Sequence, residues 1–256
     1  MSLLQGHWYT KDGFPYIEPI ESVEQVKDLR LLPGVTTILK ICHNHFLSQW
    51  IMDQRDKAWF ELERFEGETF KDAKSRVNKI ANSASSKAKD KGSFVHAVFE
   101  RYWKELITGK EQEAFSSDNA YEKKIFELAR KIHKEYFPTL KPEHCEERIV
   151  GKGYAGKFDL AGTFKSHNVM IDFKTQTLKP GKEFFAYPSY WAQVAAYHHA
   201  HFKKQTGMLG FIILICPETL KWKVEFQDKE TLSKSLSTFF NCLELFRGPM
   251  GLGLNV

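Results

Sequence analysis

Residues 156–175 read GKFDLAGTFKSHNVMIDFKT, and this stretch decides how the rest of the sequence is interpreted. It holds two short runs rich in aromatic and β-branched residues, KFDLAGTF and NVMIDFKT, with the polar residues KSH between them. Two runs of this composition around a polar turn are typical of an antiparallel hairpin. We therefore predict that they are neighbouring strands of one sheet.

Charged side chains converge on one face of this hairpin. Successive side chains of a strand alternate between its faces, so Asp172 and Lys174 point the same way while the apolar residues of that strand face the other way. Pairing across the hairpin brings Asp159 close to Asp172. Two carboxylates that repel each other become favourable neighbours around a divalent cation, and hard oxygen ligands suit Mg²⁺ or Mn²⁺. Such a metal can polarise a phosphodiester and supply hydroxide at neutral pH.

Hydrophobic periodicity on either side of the hairpin alternates between helix and strand. Upstream it predicts helices over 46–66, 92–108 with Ser93 as N-cap, and 118–136, then a strand in EERIV at 146–150 that completes a three-stranded meander. Downstream it predicts a helix from Pro188, strands in GMLGFIILIC and LKWKVEF, and a closing helix over 229–246. This order predicts an α/β fold with a central mixed sheet flanked by helices.

Polar residues spaced four apart occur on the helices before and after the hairpin. His96 and Glu100 share one helix face, and Gln193 and Tyr197 share a face of the following helix. With the two aspartates and the lysine in the same order, these residues resemble the motifs of the PD-(D/E)XK nuclease superfamily, in particular its RecB-like branch. LPGVTTIL at 32–39 is similar to a segment of the mitochondrial genome maintenance exonucleases and their bacterial and phage relatives. The resemblance thus extends to most of the chain.

The resemblance implies a metal site at the hairpin. Asp159 and Asp172 would bind the metal directly, with the backbone carbonyl of Phe173 as a further ligand. His96 would be another ligand or would contact the scissile region. The implied cofactor is Mg²⁺ or Mn²⁺, as the carboxylate chemistry also predicts.

The resemblance also implies catalytic groups around this metal. Glu100 would support the ligands or serve a second metal, and Gln193 would hold the metal-bound water or the strand. Lys174 would orient and deprotonate the attacking water, which requires a lowered pKa, or stabilise charge on the phosphate. The implied catalytic residues are Lys174, Asp172, Asp159, Glu100 and Gln193.

A third set of residues is expected to bind nucleic acid. Tyr197 would brace the metal site or touch a phosphate, and Thr175 and Lys179 lie where a phosphate contact is expected. Lys87 and Lys91 close a lysine-rich stretch before the core, which is either a solvated helix face or a surface that follows the phosphate backbone.

The fold implied by the resemblance is a restriction-endonuclease-like core with a helical N-terminal insertion. Residues 1–256 would form a single nuclease domain, with a mostly helical substrate-binding part over 1–91 and the core over 92–256. The implied activity is a metal-dependent DNA exonuclease that acts on single-stranded DNA from a free end, in DNA repair or replication. A double-strand-processing or RNA-directed nuclease of the same fold, and a non-catalytic nucleic-acid-binding subunit, remain alternatives.

Composition excludes several other classes of protein. The 256 residues are 42% hydrophobic and 27% charged, which excludes disordered and collagen-like chains, and a net charge of +5 permits an anionic partner. The longest apolar run, at 208–216, is too short for a membrane span, and no signal or transit peptide is legible, so we expect a cytoplasmic protein, with a phage-encoded origin compatible. The four cysteines lack cluster spacing, so we expect no iron–sulfur cluster. We expect a monomer whose partner is single-stranded DNA.

Overall fold

Strands and helices alternate along the chain in the computed structural model, which describes residues 4–41, 45–63, 65–114, 119–179, 181–202 and 207–248. The strands are β1 (Trp8–Tyr9), β2 (Pro15–Tyr16), β3 (Leu32–Pro33), β4 (Lys141–Cys145), β5 (Arg148–Gly151), β6 (Tyr154–Lys157), β7 (Leu160–Phe164), β8 (His167–Thr175), β9 (Met208–Ile215) and β10 (Trp222–Gln227). The helices are α1 (Val23–Asp28), α2 (Val35–Ile38), α3 (His45–Glu61), α4 (Phe70–Thr108), α5 (Ala120–Tyr136), α6 (Pro188–His201) and α7 (Lys229–Arg247). Residue contacts divide the chain into a core unit, Met1–Cys42 with Val95–Val256, and a helical unit, His43–Phe94.

A five-stranded sheet in the order β10-β9-β8-β7-β4 forms the centre of the core unit. β8 and β9 run parallel and the other neighbours run antiparallel, so the sheet is mixed. In β8, Val169, Met170 and Ile171 are all buried, although they alternate between the two faces of the sheet. A central strand covered on both faces takes a continuous apolar run, which explains the sequence of β8.

Helices cover both faces of this sheet. On one face, Met170 and Ile212 belong to the same apolar cluster as side chains of α6 and α7, and Pro188 occupies the first turn of α6, where no backbone donor is needed. On the other face, the ring centroid of Phe99 in α4 lies 5.1 Å from that of Phe173. The prediction of an α/β fold with a central mixed sheet flanked by helices is confirmed.

The prediction that residues 146–150 form the third strand of the meander is wrong. β4, not residues 146–150, pairs with β7 and completes the antiparallel part of the sheet. Glu146 follows β4 with a φ of 56°, in the left-handed region that interrupts a strand. The chain then leaves the sheet, and β5 pairs with β6 in a separate two-stranded hairpin.

The N-terminal residues, predicted as a mostly helical part over 1–91, contain short strands as well as helices. Residues up to Cys42 belong to the core unit, and β1, β2 and β3 form a small sheet there. Ile38 is fully buried in the cluster that includes α6, and Gly34 forms a bridge with Ala155 of β6. These strands have only two residues each, which is too short to produce an alternating pattern in the sequence.

Helix α4 is continuous through Ser93, so the predicted N-cap at this residue is wrong. In its N-terminal half, the buried side chains are the small residues Ala73, Val77 and Ala81, spaced four apart. Such a narrow stripe of small residues gives a weak helical signal in a lysine-rich sequence. Among the described residues, no helix combines the length and apolar character needed to cross a membrane.

Candidate metal centre and active site

The β7–β8 hairpin brings Asp159 to the same end of the sheet as Asp172. Pairing of Leu160 with Ile171 sets the register, and Asp159 immediately precedes this pair. The backbone N–H of Phe173 donates to Asp159 Oδ2 at 2.6 Å, which fixes the Asp159 carboxylate against β8. Asp172 is 1% exposed, and the charge of Asp159 contributes to the raised pKa of its carboxyl. The two aspartates are therefore neighbours, as the strand pattern predicted.

Three side chains next to this hairpin offer ligand atoms that surround one point. One atom each from His96, Glu146 and Asp159 lies within 4.8 Å of the others. His96 Nδ1, from α4, is 3.7 Å from Asp159 Oδ2. The backbone N–H of Glu146 donates to the carbonyl of Asp159 at 2.9 Å. Three separate segments of the core unit thus supply this cluster.

Sequence reasoning missed Glu146. The pattern of EERIV placed this residue inside a strand, whereas it lies at the turn between β4 and β5. The signal that could have found Glu146 is the β5–β6 hairpin, in which Arg148 pairs with Lys157. Glu146 and Asp159 each lie two positions outside this pair, so the hairpin brings them opposite each other. Lys157 also forms an ion pair with the Glu146 carboxylate.

Burial makes the ionised form of these carboxylates costly. It raises the pKa of Asp172 to about 6, against the opposing charge of Lys174 and with the added repulsion of Asp159. Burial likewise raises the pKa of Asp159 and of Glu146, and lowers that of His96, which favours the neutral imidazole. A bound cation would offset the repulsion. Carboxylate oxygens with one imidazole suit a divalent ion such as Mn²⁺ or Mg²⁺, so the residues fit the implied metal.

Lys174 lies directly beside this cluster. Its Nζ is 2.5 Å from Asp172 Oδ2 and 5.2 Å from the ring centroid of Tyr190. Burial lowers the pKa of the Lys174 ammonium, but Asp172 and Asp159 outweigh burial and the pKa is raised. The ammonium and Oδ2 form a close charge-assisted contact. A carboxylate oxygen can accept more than one contact, so Oδ2 keeps a lone pair for a further ligand beside Lys174.

Glu100 lies one helical turn from His96, next to the ligand cluster but not within it. Its carboxylate pairs with Lys104 on the same face of α4. Its charge contributes to the raised pKa of both Asp159 and Glu146. This position agrees with a residue that acts on the ligands rather than as one of the three.

Gln193 and Tyr197 form a buried pair on α6. Gln193 Nε2 donates to Tyr197 Oη at 3.2 Å, and Tyr197 is only 4% exposed. Burial and the charge of Asp172 hold the pKa of Tyr197 well above its usual value. A Cβ on Gly156 would lie 2.7 Å from Tyr197 Cε1, so the ring packs on the backbone just before Asp159. Of the two roles expected for Tyr197, this burial favours bracing over contact with a phosphate.

The remaining predicted residues lie around the site or outside the core unit. The N–H and carbonyl of a strand residue point the same way, so the Phe173 carbonyl faces the Asp159 side of β8. Thr175 is half-buried at the end of β8, and Lys179 is exposed in the segment that follows. Lys87 and Lys91 are exposed in the helical unit.

The three cysteines that the structure describes do not belong to the ligand cluster. Cys145, Cys216 and Cys242 are buried thiols, and Cys42 lies outside the described residues. Burial, followed by the charges of Glu146 and Glu100, raises the pKa of the Cys145 thiol far above its ordinary value. A thiol of this kind stays protonated and is a poor metal ligand.

Comparisons with known proteins add little to this geometry. No protein-family model matches the chain, and no curated protein matches it. A solved structure titled "Crystal structure of SSO0001" aligns with 77% of this chain and 86% of its own, at 15% identity and a TM-score of 0.23. A TM-score this low supports no conclusion about fold or function.

Proposed function

We propose that this protein is a metal-dependent nuclease with a restriction-endonuclease-like core, which hydrolyses single-stranded DNA from a free end. The observation that carries the proposal is the cluster of His96, Glu146 and Asp159, with Asp172 and Lys174 beside it. Three buried or half-buried carboxylates with raised pKa values are costly for a purely structural site. They are the expected composition of a site that binds a divalent cation and a phosphodiester.

His96, Glu146 and Asp159 would hold the cation, and Asp172, the buried neighbour of Asp159, would add a further oxygen. When bound, the metal supplies a Lewis acid and lowers the pKa of a bound water. The neutral form of His96, which burial favours, is the form that can act as a ligand.

Lys174 would act as an ammonium. Because its pKa is raised, it carries a positive charge and is a poor base. Of the two roles that the sequence left open, this favours stabilising negative charge on the scissile phosphate over deprotonating the attacking water. The ion pair with Asp172 and the ring of Tyr190 hold the Lys174 ammonium in place.

Gln193 and Tyr197 would position the site without touching the reacting atoms. Gln193 donates a hydrogen bond to Tyr197, and the Tyr197 ring packs on Gly156. These contacts hold in place the backbone just before Asp159. The preference for single-stranded DNA and for a free end rests on the resemblance described above, together with exposed lysines such as Lys87 and Lys91.

Digestion of linear and circular single-stranded DNA of the same sequence tests this function. With Mn²⁺ or Mg²⁺, the protein is expected to shorten an end-labelled linear strand and to leave the circle intact. Lys174→Ala should reduce the rate by about 100-fold or more, since it removes a charge that acts on the transition state. Lys131→Ala, which removes an exposed lysine of α5, is the matched control and should retain full activity.

Several results would contradict the proposal. Full activity of Lys174→Ala would show that Lys174 is not catalytic. Digestion of the circle as fast as the linear strand would show that the protein does not require a free end. Binding of DNA without any cleavage in Mn²⁺ would instead support a non-catalytic nucleic-acid-binding subunit. A duplex or RNA substrate cleaved faster than the single strand would assign the activity to that substrate.

A further inference from the structure

A row of aromatic rings leads from Lys174 to the protein surface. Nζ of Lys174 is 5.2 Å from the ring centroid of Tyr190, which lies 5.2 Å from that of Tyr187. The Tyr187 centroid in turn lies 5.1 Å from that of Phe185. Phe185 is 53% exposed, in the segment between β8 and α6. The row therefore connects the candidate active site with an exposed ring by three short steps.

The backbone of Phe185 is fixed although its ring is exposed. Gln176 Nε2 donates to the carbonyl of Phe185 at 2.7 Å, and the N–H of Phe185 donates to Gln176 Oε1 at 3.2 Å. The backbone N–H of Gln176 donates to the carbonyl of Ile215 in β9 at 2.9 Å, which anchors the arrangement to the sheet. A single exposed apolar residue is common on proteins. An exposed ring on a clamped backbone has already lost much of the entropy that binding would cost.

The surroundings of the row carry positive charge. Lys179 and Lys182 are exposed in the same segment. A groove of about 690 Å³ lies between this segment and the turn from β9 to β10, and its lining includes Lys182, Lys221 and Trp222, with one acid, Glu183, and with Lys223, which is paired with Glu225. Lysines beside exposed aromatic rings are the composition of surfaces that bind single-stranded nucleic acid, because phosphates pair with the charges and unpaired bases stack on the rings.

We propose that Phe185 is a base-stacking residue that holds one unpaired nucleotide of the strand at the outer end of this row, away from the scissile phosphate. Tyr187 and Tyr190 support the ring from behind, and Lys179 and Lys182 contact the adjoining phosphates. The identity of the polymer rests on the proposed function, whereas the stacking role rests on the row itself. A duplex cannot use this subsite in the same way, because its bases are already stacked and paired.

Fluorescence of 2-aminopurine in a bound oligonucleotide tests the stacking role without cleavage. In EDTA, single strands that carry the probe at successive positions from one end are titrated with the wild-type protein. We expect quenching at one position, and recovery of the emission at that position in Phe185→Ala. Affinity, from anisotropy, should fall about tenfold, which corresponds to about 1.4 kcal/mol. Phe185→Trp should retain both quenching and affinity.

Phe226→Ala is the matched control, because Phe226 is also an exposed phenylalanine, at 65% against 53% for Phe185, and lies on β10. It should leave quenching and affinity unchanged. Equal quenching and affinity in Phe185→Ala and wild type would overturn the proposal, as would tighter binding of a blunt duplex than of the single strand. Because the titration needs no metal, the stacking role can fail while nuclease activity is found, and it can hold while activity is absent.

Discussion

Replacement of Asp172 by asparagine should change how stability depends on pH in a defined way. The pKa of Asp172 is raised by burial from 3.8 to about 6 in the folded protein. A difference of one pKa unit corresponds to about 1.4 kcal/mol, so the ionised carboxylate costs the folded state about 3 kcal/mol at pH 7. Because the folded-state pKa lies above the unfolded value, this cost is absent below about pH 4 and complete above about pH 6.

Asparagine has no charge, so the variant lacks this cost at every pH. The raised pKa of Asp172 already includes the opposing attraction of the Lys174 ammonium, so the loss of this ion pair in the variant is part of the same difference. The free energy of unfolding of Asp172→Asn minus that of wild type should therefore rise by about 3 kcal/mol between pH 4 and pH 7. Urea unfolding in EDTA at several pH values measures this difference.

Asp228→Asn is a suitable control for this experiment. Asp228 is an exposed N-cap whose pKa is lowered by hydrogen bonds from Thr231, so its substitution should produce no rise between pH 4 and pH 7. A difference between Asp172→Asn and wild type that stays flat or falls with pH would refute the buried, electrostatically costly carboxylate that the metal site requires.

Three further substitutions test other parts of the structure. Glu146→Gln should weaken Mn²⁺ binding, measured by calorimetry, by at least about tenfold, because it removes a charged ligand. The control variant Glu147→Gln changes the half-exposed neighbouring residue and should bind Mn²⁺ as wild type does. Equal affinities of Glu146→Gln and wild type would exclude Glu146 from the site. Gly156→Ala should lower the free energy of unfolding by about 1–3 kcal/mol, because the added methyl meets the buried ring of Tyr197, and an unchanged melting temperature would argue against that packing. His198 is buried and burial lowers its pKa to about 4, so the free energy of unfolding of wild type minus that of His198→Gln should fall by about 3 kcal/mol between pH 6.5 and pH 4; parallel unfolding curves would contradict this.

The hairpin at the centre of the sheet was predictable because its information is local. Two runs with a polar turn between them determine both the pairing and the register, and the register alone brings Asp159 to Asp172. The helix boundaries at Pro188 and near Pro138 were predictable for the same reason, since proline restricts the backbone wherever it occurs.

Glu146 and the N-terminal strands depend on contacts that the local pattern does not contain. Glu146 reaches the site because β5 and β6 return the chain to Asp159, and its left-handed backbone resembles nothing in a strand pattern. The small sheet of β1, β2 and β3 is stabilised by the buried cluster around Ile38 and by the bridge from Gly34 to Ala155. Each of these features appears only once distant segments are packed together.

The position of Mn²⁺ in crystals, from its anomalous scattering, tests the proposed metal centre most directly. We expect the strongest anomalous peak between His96, Glu146 and Asp159, and we expect it to vanish in Asp159→Asn. A peak bound elsewhere on the chain with none at this cluster, under conditions in which Mn²⁺ supports DNA cleavage, would contradict the assignment.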